Sequence, residues 1–155
     1  MNINLIAVGN KMPVWVKLGF EAYQQRLTMD CKLNIHEIAA IKRNKSTDLQ
    51  KIKENEGKNI LSAIPKGNHI IALEVKGKPW STDQLSQQML QWMQSGQDLC
   101  LLIGGPEGLS QTCRDMAHQQ WSLSPLTLPH PMVRIIVAEQ LYRAWSILKN
   151  HPYHR

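Results

Sequence analysis

Apolar positions along this chain alternate between two rhythms. Asn2 to Gly9 is short, apolar and β-prone, and Gly9 ends it, so a strand is expected there. Pro13 suits the first turn of a helix, and Trp15, Leu18, Tyr23 and Leu27 then recur at near-helical spacing. In Lys32 to Ile38, Leu33 and Ile35 alternate with Asn34 and His36, the pattern of a half-buried strand. A helix is predicted from Asp48 to Ile64, with Leu49, Ile52, Ile60, Leu61 and Ile64 as its apolar positions, and Pro65-Lys66-Gly67-Asn68 stops it.

The second half is more regular. His69 to Val75 reads as a buried strand and Gly77-Lys78-Pro79 as a turn. Ser81 with Gln84 fits a capping box that opens a helix carrying Leu85, Met89 and Trp92, and Gly96 closes it. Asp98 to Ile103 is a second buried-type strand, followed by the loop Gly104-Gly105-Pro106-Glu107-Gly108. Ser110 is a plausible N-cap for a short helix, and Trp121-Ser122-Leu123 reads as a last strand. Met132 to Lys149 is predicted as a long helix, and His151 to Arg155 is a tail that would ordinarily fray.

Strands alternating with helices imply an α/β fold, a mostly parallel sheet flanked by helices. No linker, repeat or composition break divides the chain, so residues 1–155 are expected to form a single domain. In such sheets ligands bind where loops leave the carboxyl ends of strands. Three such ends stand out, at Leu73-Glu74-Val75, Ile103-Gly104-Gly105 and Leu123-Ser124.

Composition narrows the partners. Hydrophobic residues make up 43%, charged residues 19%, and the net charge is +6, which favours a polyanion. No stretch approaches the roughly 20 apolar residues a membrane span needs, and no signal peptide is visible at Met1-Asn2-Ile3-Asn4-Leu5-Ile6. Cys31, Cys100 and Cys113 form neither a CxxC pair nor a disulfide framework, which suits buried thiols in a reducing, cytoplasmic setting. The basic loop Lys42-Arg43-Asn44-Lys45-Ser46 reads either as a solvated surface or as a phosphate contact.

Chemistry concentrates late in the chain. Gly104 and Gly105 follow a buried strand, where the missing Cβ lets backbone approach a ligand, although a tight turn that binds nothing has the same signature. The loop is not G-x-G-x-x-G and carries no Walker lysine, so nucleotide chemistry of those kinds loses ground. Ser122 to Pro131 is apolar yet broken by Pro125, Pro129 and Pro131. Such a segment either packs as a loop or wraps a buried ligand and offers it main-chain groups. Tyr153, His154 and Arg155 combine a stacker, a titratable imidazole and a guanidinium. On the long helix, Glu139 and Arg143 are spaced as an ion pair. The wide apolar surface of that helix implies burial on two sides, by its own domain or by a second subunit. The six His and three Cys do not fall into metal-ligand spacing, and no metal is expected.

Taken together, Leu101-Leu102-Ile103-Gly104-Gly105-Pro106-Glu107-Gly108-Leu109, Leu126-Thr127-Leu128-Pro129-His130 and the ending Tyr153-His154-Arg155 resemble the RlmH family, SPOUT-class methyltransferases. The resemblance runs from Ala7-Val8-Gly9 to the tail. It implies a trefoil knot within about residues 69–155. It also implies S-adenosylmethionine as cofactor, and methylation of N3 of a pseudouridine in 23S ribosomal RNA, in the ribosome, by a homodimer. Carried over by position, the cofactor-binding residues are Leu73, Gly104, the adjacent Gly105, Leu123, Ser124, Pro125, Leu126, Thr127 and Leu128. Tyr153, His154 and Arg155 become the catalytic candidates, reaching the partner's cofactor. Among them His154 is the expected base, Arg155 or Arg143 the group that stabilises the anion, and His130 and Glu139 reserves. Two other readings stay open: the same fold acting on another RNA such as transfer RNA, and a non-catalytic RNA-binding assembly factor. A nuclease is disfavoured because a carboxylate cluster is missing.

Overall fold

The computed structural model describes residues 1–27 and 30–155. Its sheet has five strands: β1 (Asn2–Val8), β2 (Lys32–Ile38), β3 (His69–Pro79), β4 (Leu99–Ile103) and β5 (Gln119–Ser122). Their order is β2-β1-β4-β3-β5, and every pairing is parallel. The helices are α1 (Val14–Gln24), α2 (Leu49–Ser62), α3 (Thr82–Ser95), α4 (Gln111–Met116) and α5 (His130–Leu148), with a final 3-10 turn at Pro152–His154. The α/β architecture expected from the alternation is therefore present, in three layers.

The two-residue period of a strand explains the layering. Along β4, Leu99, Leu101 and Ile103 join a core with Phe20 of α1, Met89 of α3 and Leu141 of α5. The intervening Cys100 and Leu102 join a second core with Ile60 of α2 and Cys113 of α4. All five β4 residues are buried, as befits a central strand covered on both faces. Each large side chain so buried contributes about 1.5–3 kcal/mol.

Local signals act where expected. Asp48 caps α2, and Ser81 with Gln84 forms a full capping box on α3. Gly96 terminates α3 in the left-handed conformation. Helix α5 packs against both α1 and α3. Its own chain thus supplies both neighbours, and the wide apolar surface of α5 needs no second subunit to explain it. Glu139 and Arg143 form the expected ion pair.

Several boundaries differ from expectation. The first helix stops at Gln24, and Leu27 lies beyond it, buried. The last strand is displaced toward Gln119 and excludes Leu123. Helix α5 starts two residues early, because Pro131 fits a first turn, where no N–H is required. The tail closes in a 3-10 turn, Pro152–His154. Gly77-Lys78-Pro79 is no turn: it continues β3, where Lys78 and Pro79 pair with Trp121 and Ser122. Trp121 already faces Leu73, so residues 74–77 form an excursion out of the ladder. A Cβ on Gly77 would lie 2.8 Å from the backbone of Gln120 and Trp121. The glycine is there because the returning chain presses against β5, a need that looks like a turn signal in sequence.

Candidate active site

Three excursions meet at the carboxyl edge of the sheet and enclose a cavity of about 340 Å³. Leu73, Glu74 and Val75 come from the break in β3; Ile103 to Pro106 and Gly108 follow β4; Leu123, Ser124, Leu126, Thr127 and Leu128 follow β5. Trp121, His130 and Val133 complete the wall. The three strand ends picked out in sequence thus converge, at a size that suits a small-molecule cofactor. Eight of the nine expected cofactor-binding residues line it. Pro125, the ninth, sits in the same segment but off the wall.

The glycine loop is built by close approach. Gly105-Pro106-Glu107-Gly108 is a tight turn in which the Gly108 N–H donates to the Gly105 carbonyl at 2.9 Å. Gly108 has φ +82, and a Cβ on Gly104 would lie 2.4 Å from the Gly108 backbone. Gly104 is therefore needed for the loop to fold back on itself, and the cavity gains its smooth wall as a result. The segment after β5 is irregular throughout residues 123–129. Its own bonds are short-range: the Leu126 N–H donates to Ser124 Oγ, and the Ser122 hydroxyl donates to the Ser124 carbonyl. Up to Leu128 no helix or strand ladder claims the main chain, so it can serve a ligand; the Pro129 carbonyl already belongs to the first turn of α5.

Charge at the cavity is sparse. Glu74 is the carboxylate on the wall; Arg114 lies 3.5 Å from it and also holds the Leu109 carbonyl. That carboxylate, paired with Arg114 here, is the acidic group on the wall that a cationic ligand such as a sulfonium or an ammonium would meet. His130 is the imidazole on the wall. Burial first, then the neighbouring Arg134, push its pKa below the ordinary value, against the opposing effect of the Val8 and Gly104 backbone. His130 is thus neutral near pH 7.

Arg134 is a buried arginine behind this wall. It is 2% exposed and donates to Glu37 at 2.6 Å and to the Val8 and Gly9 carbonyls at 3.2 and 2.5 Å. It therefore ties the end of β1 to the first turns of α5. Glu74 and His130 lay within segments picked out in sequence, but neither was expected on the cofactor wall, and Arg134 carried no motif at all. Arg43, one candidate phosphate contact, is committed instead to Glu107 and Glu56.

The tail lies elsewhere. The Tyr153 hydroxyl donates to Glu139 Oε1 at 3.1 Å, its ring is 4.6 Å from Tyr142, and Arg143 sits 5.0 Å over it. Burial, then hydrogen bonding with Tyr23 and Glu139, push the Tyr153 phenol pKa up, so it is a hydroxyl donor and not a base. His154 has a buried Nδ1 with no partner among the described residues, and Arg155 is exposed. Roughly 18 Å of helix separates Tyr142 from His130, so the tail and the cavity of one chain are not brought together. Among the described residues there is no cluster of three or more metal-ligating side chains, and no helix is long and apolar enough to cross a membrane.

Comparison with known proteins fits this geometry. Residues 1–154 match the family described as "Predicted SPOUT methyltransferase". The chain is 59% identical, over its full length and 99% of the relative, to "Ribosomal RNA large subunit methyltransferase H" of Hahella chejuensis. Among solved structures, a probable methylase family protein of Haemophilus influenzae superposes with a TM-score of 0.56 at 12% identity, covering 99% of this chain and 70% of that one. That last likeness bears on the fold alone.

Proposed function

This chain belongs to the SPOUT methyltransferase family, in its RlmH branch, and from that premise we propose that it methylates N3 of a pseudouridine in 23S ribosomal RNA. S-adenosylmethionine is the donor, held in the cavity at the carboxyl ends of β3, β4 and β5. The observation that carries this reading is the meeting of the Leu73, Gly104 and Leu123–Leu128 segments around one cavity. Leu73, Leu123 and Leu128 would embrace the adenosyl group while main chain from 104–105 and 123–128 meets its polar edges, and Glu74 would face the cationic end. The knotted path over residues 69–155 belongs to the same reading, as does a cytoplasmic setting with the ribosome as partner.

The bound cofactor supplies an already activated methyl group. What remains for the protein is to align the nucleophile and remove its proton. His154 is the base in this reading, with Tyr153 as a hydroxyl donor and Arg155 or Arg143 stabilising the anionic base. These groups cannot act on their own chain's cavity, so the active enzyme is a homodimer in which each tail serves the partner. Val14, Trp15 and Leu18 on α1, at 73%, 52% and 61% exposure, offer an apolar surface for that contact.

Calorimetry with S-adenosylmethionine, followed by mapping of methylated positions in ribosomal RNA from a deletion strain, tests the proposal. Binding together with loss of one N3-methylated pseudouridine is expected. No binding would favour the assembly-factor reading, and a lost modification in transfer RNA would move the substrate.

A further inference from the structure

The glycine turn that lines the cavity is held from outside by one arginine. Arg43 Nε donates to both oxygens of Glu107, at 2.8 and 3.0 Å, and Nη2 adds a third bond to the same carboxylate. Nη2 also reaches Glu56 Oε2 at 3.2 Å, and Nη1 donates to the Ile41 carbonyl at 2.8 Å. Glu56, in the middle of α2, is 2% exposed and also accepts from the Ile41 N–H at 3.0 Å. A carboxylate that deeply buried is tolerable only with charge-assisted partners.

Gly105 completes the arrangement. A Cβ there would lie 2.9 Å from Glu56 Oε2 and 3.2 Å from Arg43 Nη2. Main chain and latch are therefore packed against each other, with the cavity on the far side of Gly105. Glu107 occupies the tip of the turn, two residues past Gly105 and one before Gly108. A two-pronged bond at the tip and a close contact at the base leave the turn little freedom. Arg43 spends its donors on this network, so it has little left for phosphate. Lys42 and Lys45 of the same loop remain exposed.

We propose that Arg43 is a positioning residue for the cofactor: through Glu107 and Glu56 it holds the Gly105–Gly108 turn in the shape that receives S-adenosylmethionine. The inference rests on the methyltransferase reading. Arg43 is not among the residues that line the cavity, so it acts through the turn and preorganisation is its contribution.

The test uses the full chain. Glu107→Gln keeps the side chain's shape and leaves Arg43 on Glu56, so the buried carboxylate stays paired and the fold survives. Arg43→Lys keeps the charge and loses the planar fork; Arg43→Gln loses both. Calorimetry with S-adenosylmethionine is expected to show binding weakened roughly tenfold in Glu107→Gln, the equivalent of one lost charge-assisted bond. Arg43→Gln should lose at least as much, and Arg43→Lys should fall between it and the unaltered chain. At saturating cofactor, kcat should return to within about twofold. Without cofactor, the amides of Gly105, Glu107 and Gly108 should exchange hydrogen faster in Glu107→Gln, while those of β1 and β4 keep their rates. Unchanged cofactor affinity with unchanged exchange in Glu107→Gln and Arg43→Lys would overturn the inference. An unaltered chain that binds no S-adenosylmethionine would sink the methyltransferase reading instead, and the exchange rates would still decide whether the latch holds the turn.

Discussion

At the scale of single residues, the site divides into parts that carry a mark in sequence and parts that do not. Gly104, Gly105 and the segment from Leu123 to Leu128 stood out in sequence as paired glycines after a buried strand and as an apolar run broken by prolines, patterns that a plain turn or loop shares. The resemblance to the RlmH family is what implied that they hold a cofactor. The pairings of Arg134, Arg43 and Glu107 did not stand out. Arg134 finds Glu37 across 97 positions and Arg43 finds Glu107 across 64, so nothing local announces either pair. His130 illustrates what such pairings do. Its folded pKa lies below its ordinary value of about 6.5, chiefly through burial. The unfolded chain therefore binds more protons in the window between the two values, and stability falls as pH drops from about 6.5 toward the folded pKa. One proton sets a ceiling of about 1.4 kcal/mol per pH unit. Urea midpoints between pH 8 and pH 5 should show this decline, and His130→Gln should flatten it. An identical decline in the variant would assign it to other groups. Cys31 and Cys100 make a complementary case. Burial pushes both thiols up to about 12. They should ignore a thiol reagent in the native protein at pH 8 and react only in step with unfolding; rapid native labelling would contradict their burial.

At the scale of elements, most of the alternation of strand and helix was readable. β1, β3 and β4 show as apolar runs and β2 as an alternation, whereas β5 (Gln119–Ser122) offers Trp121 as its one apolar residue, which is why its bounds were misplaced. Nor could β3 be read beyond Val75. Gly77-Lys78-Pro79 has turn composition, yet the chain there rejoins the ladder on β5 after the four-residue excursion that delivers Glu74 and Val75 to the cavity. A Cβ added at Gly77 would lie 2.8 Å from the β5 backbone, and a backbone neighbour cannot swing aside as a flexible side chain can. Gly77→Ala should therefore destabilise the protein by about 1–3 kcal/mol, as overpacking does. Because β5 leads directly into Leu123 and Ser124, the same change should weaken cofactor binding. A denaturant series paired with calorimetry checks both. A variant of native stability would show that β5 can move away freely, and that Gly77 does not pin the excursion.

At the scale of the whole molecule, the separation of tail and cavity decides how many chains make one site. Within one chain, Tyr153 is engaged with Glu139 and Tyr142 on the far part of α5, while the cavity lies at that helix's first turns. If each tail serves the partner, two inactive variants can rescue each other. Gly104→Ala should distort the turn that walls the cavity and abolish cofactor binding, since its Cβ would lie 2.4 Å from the Gly108 backbone. His154→Ala should leave the cavity intact and remove the base. Either homodimer then has two dead sites. A mixed dimer has one site carrying both defects and one carrying neither. Random mixing makes half the dimers mixed, so about a quarter of all sites should be active. Tails that served their own chain would give no recovery at any ratio. Leu18→Glu separates this arrangement from a merely associated pair. Placing a charge on the exposed α1 surface should yield a folded monomer that still binds S-adenosylmethionine but turns over no RNA. A monomer with full turnover would mean that one chain can bring its own tail to its own cavity, against the geometry of α5.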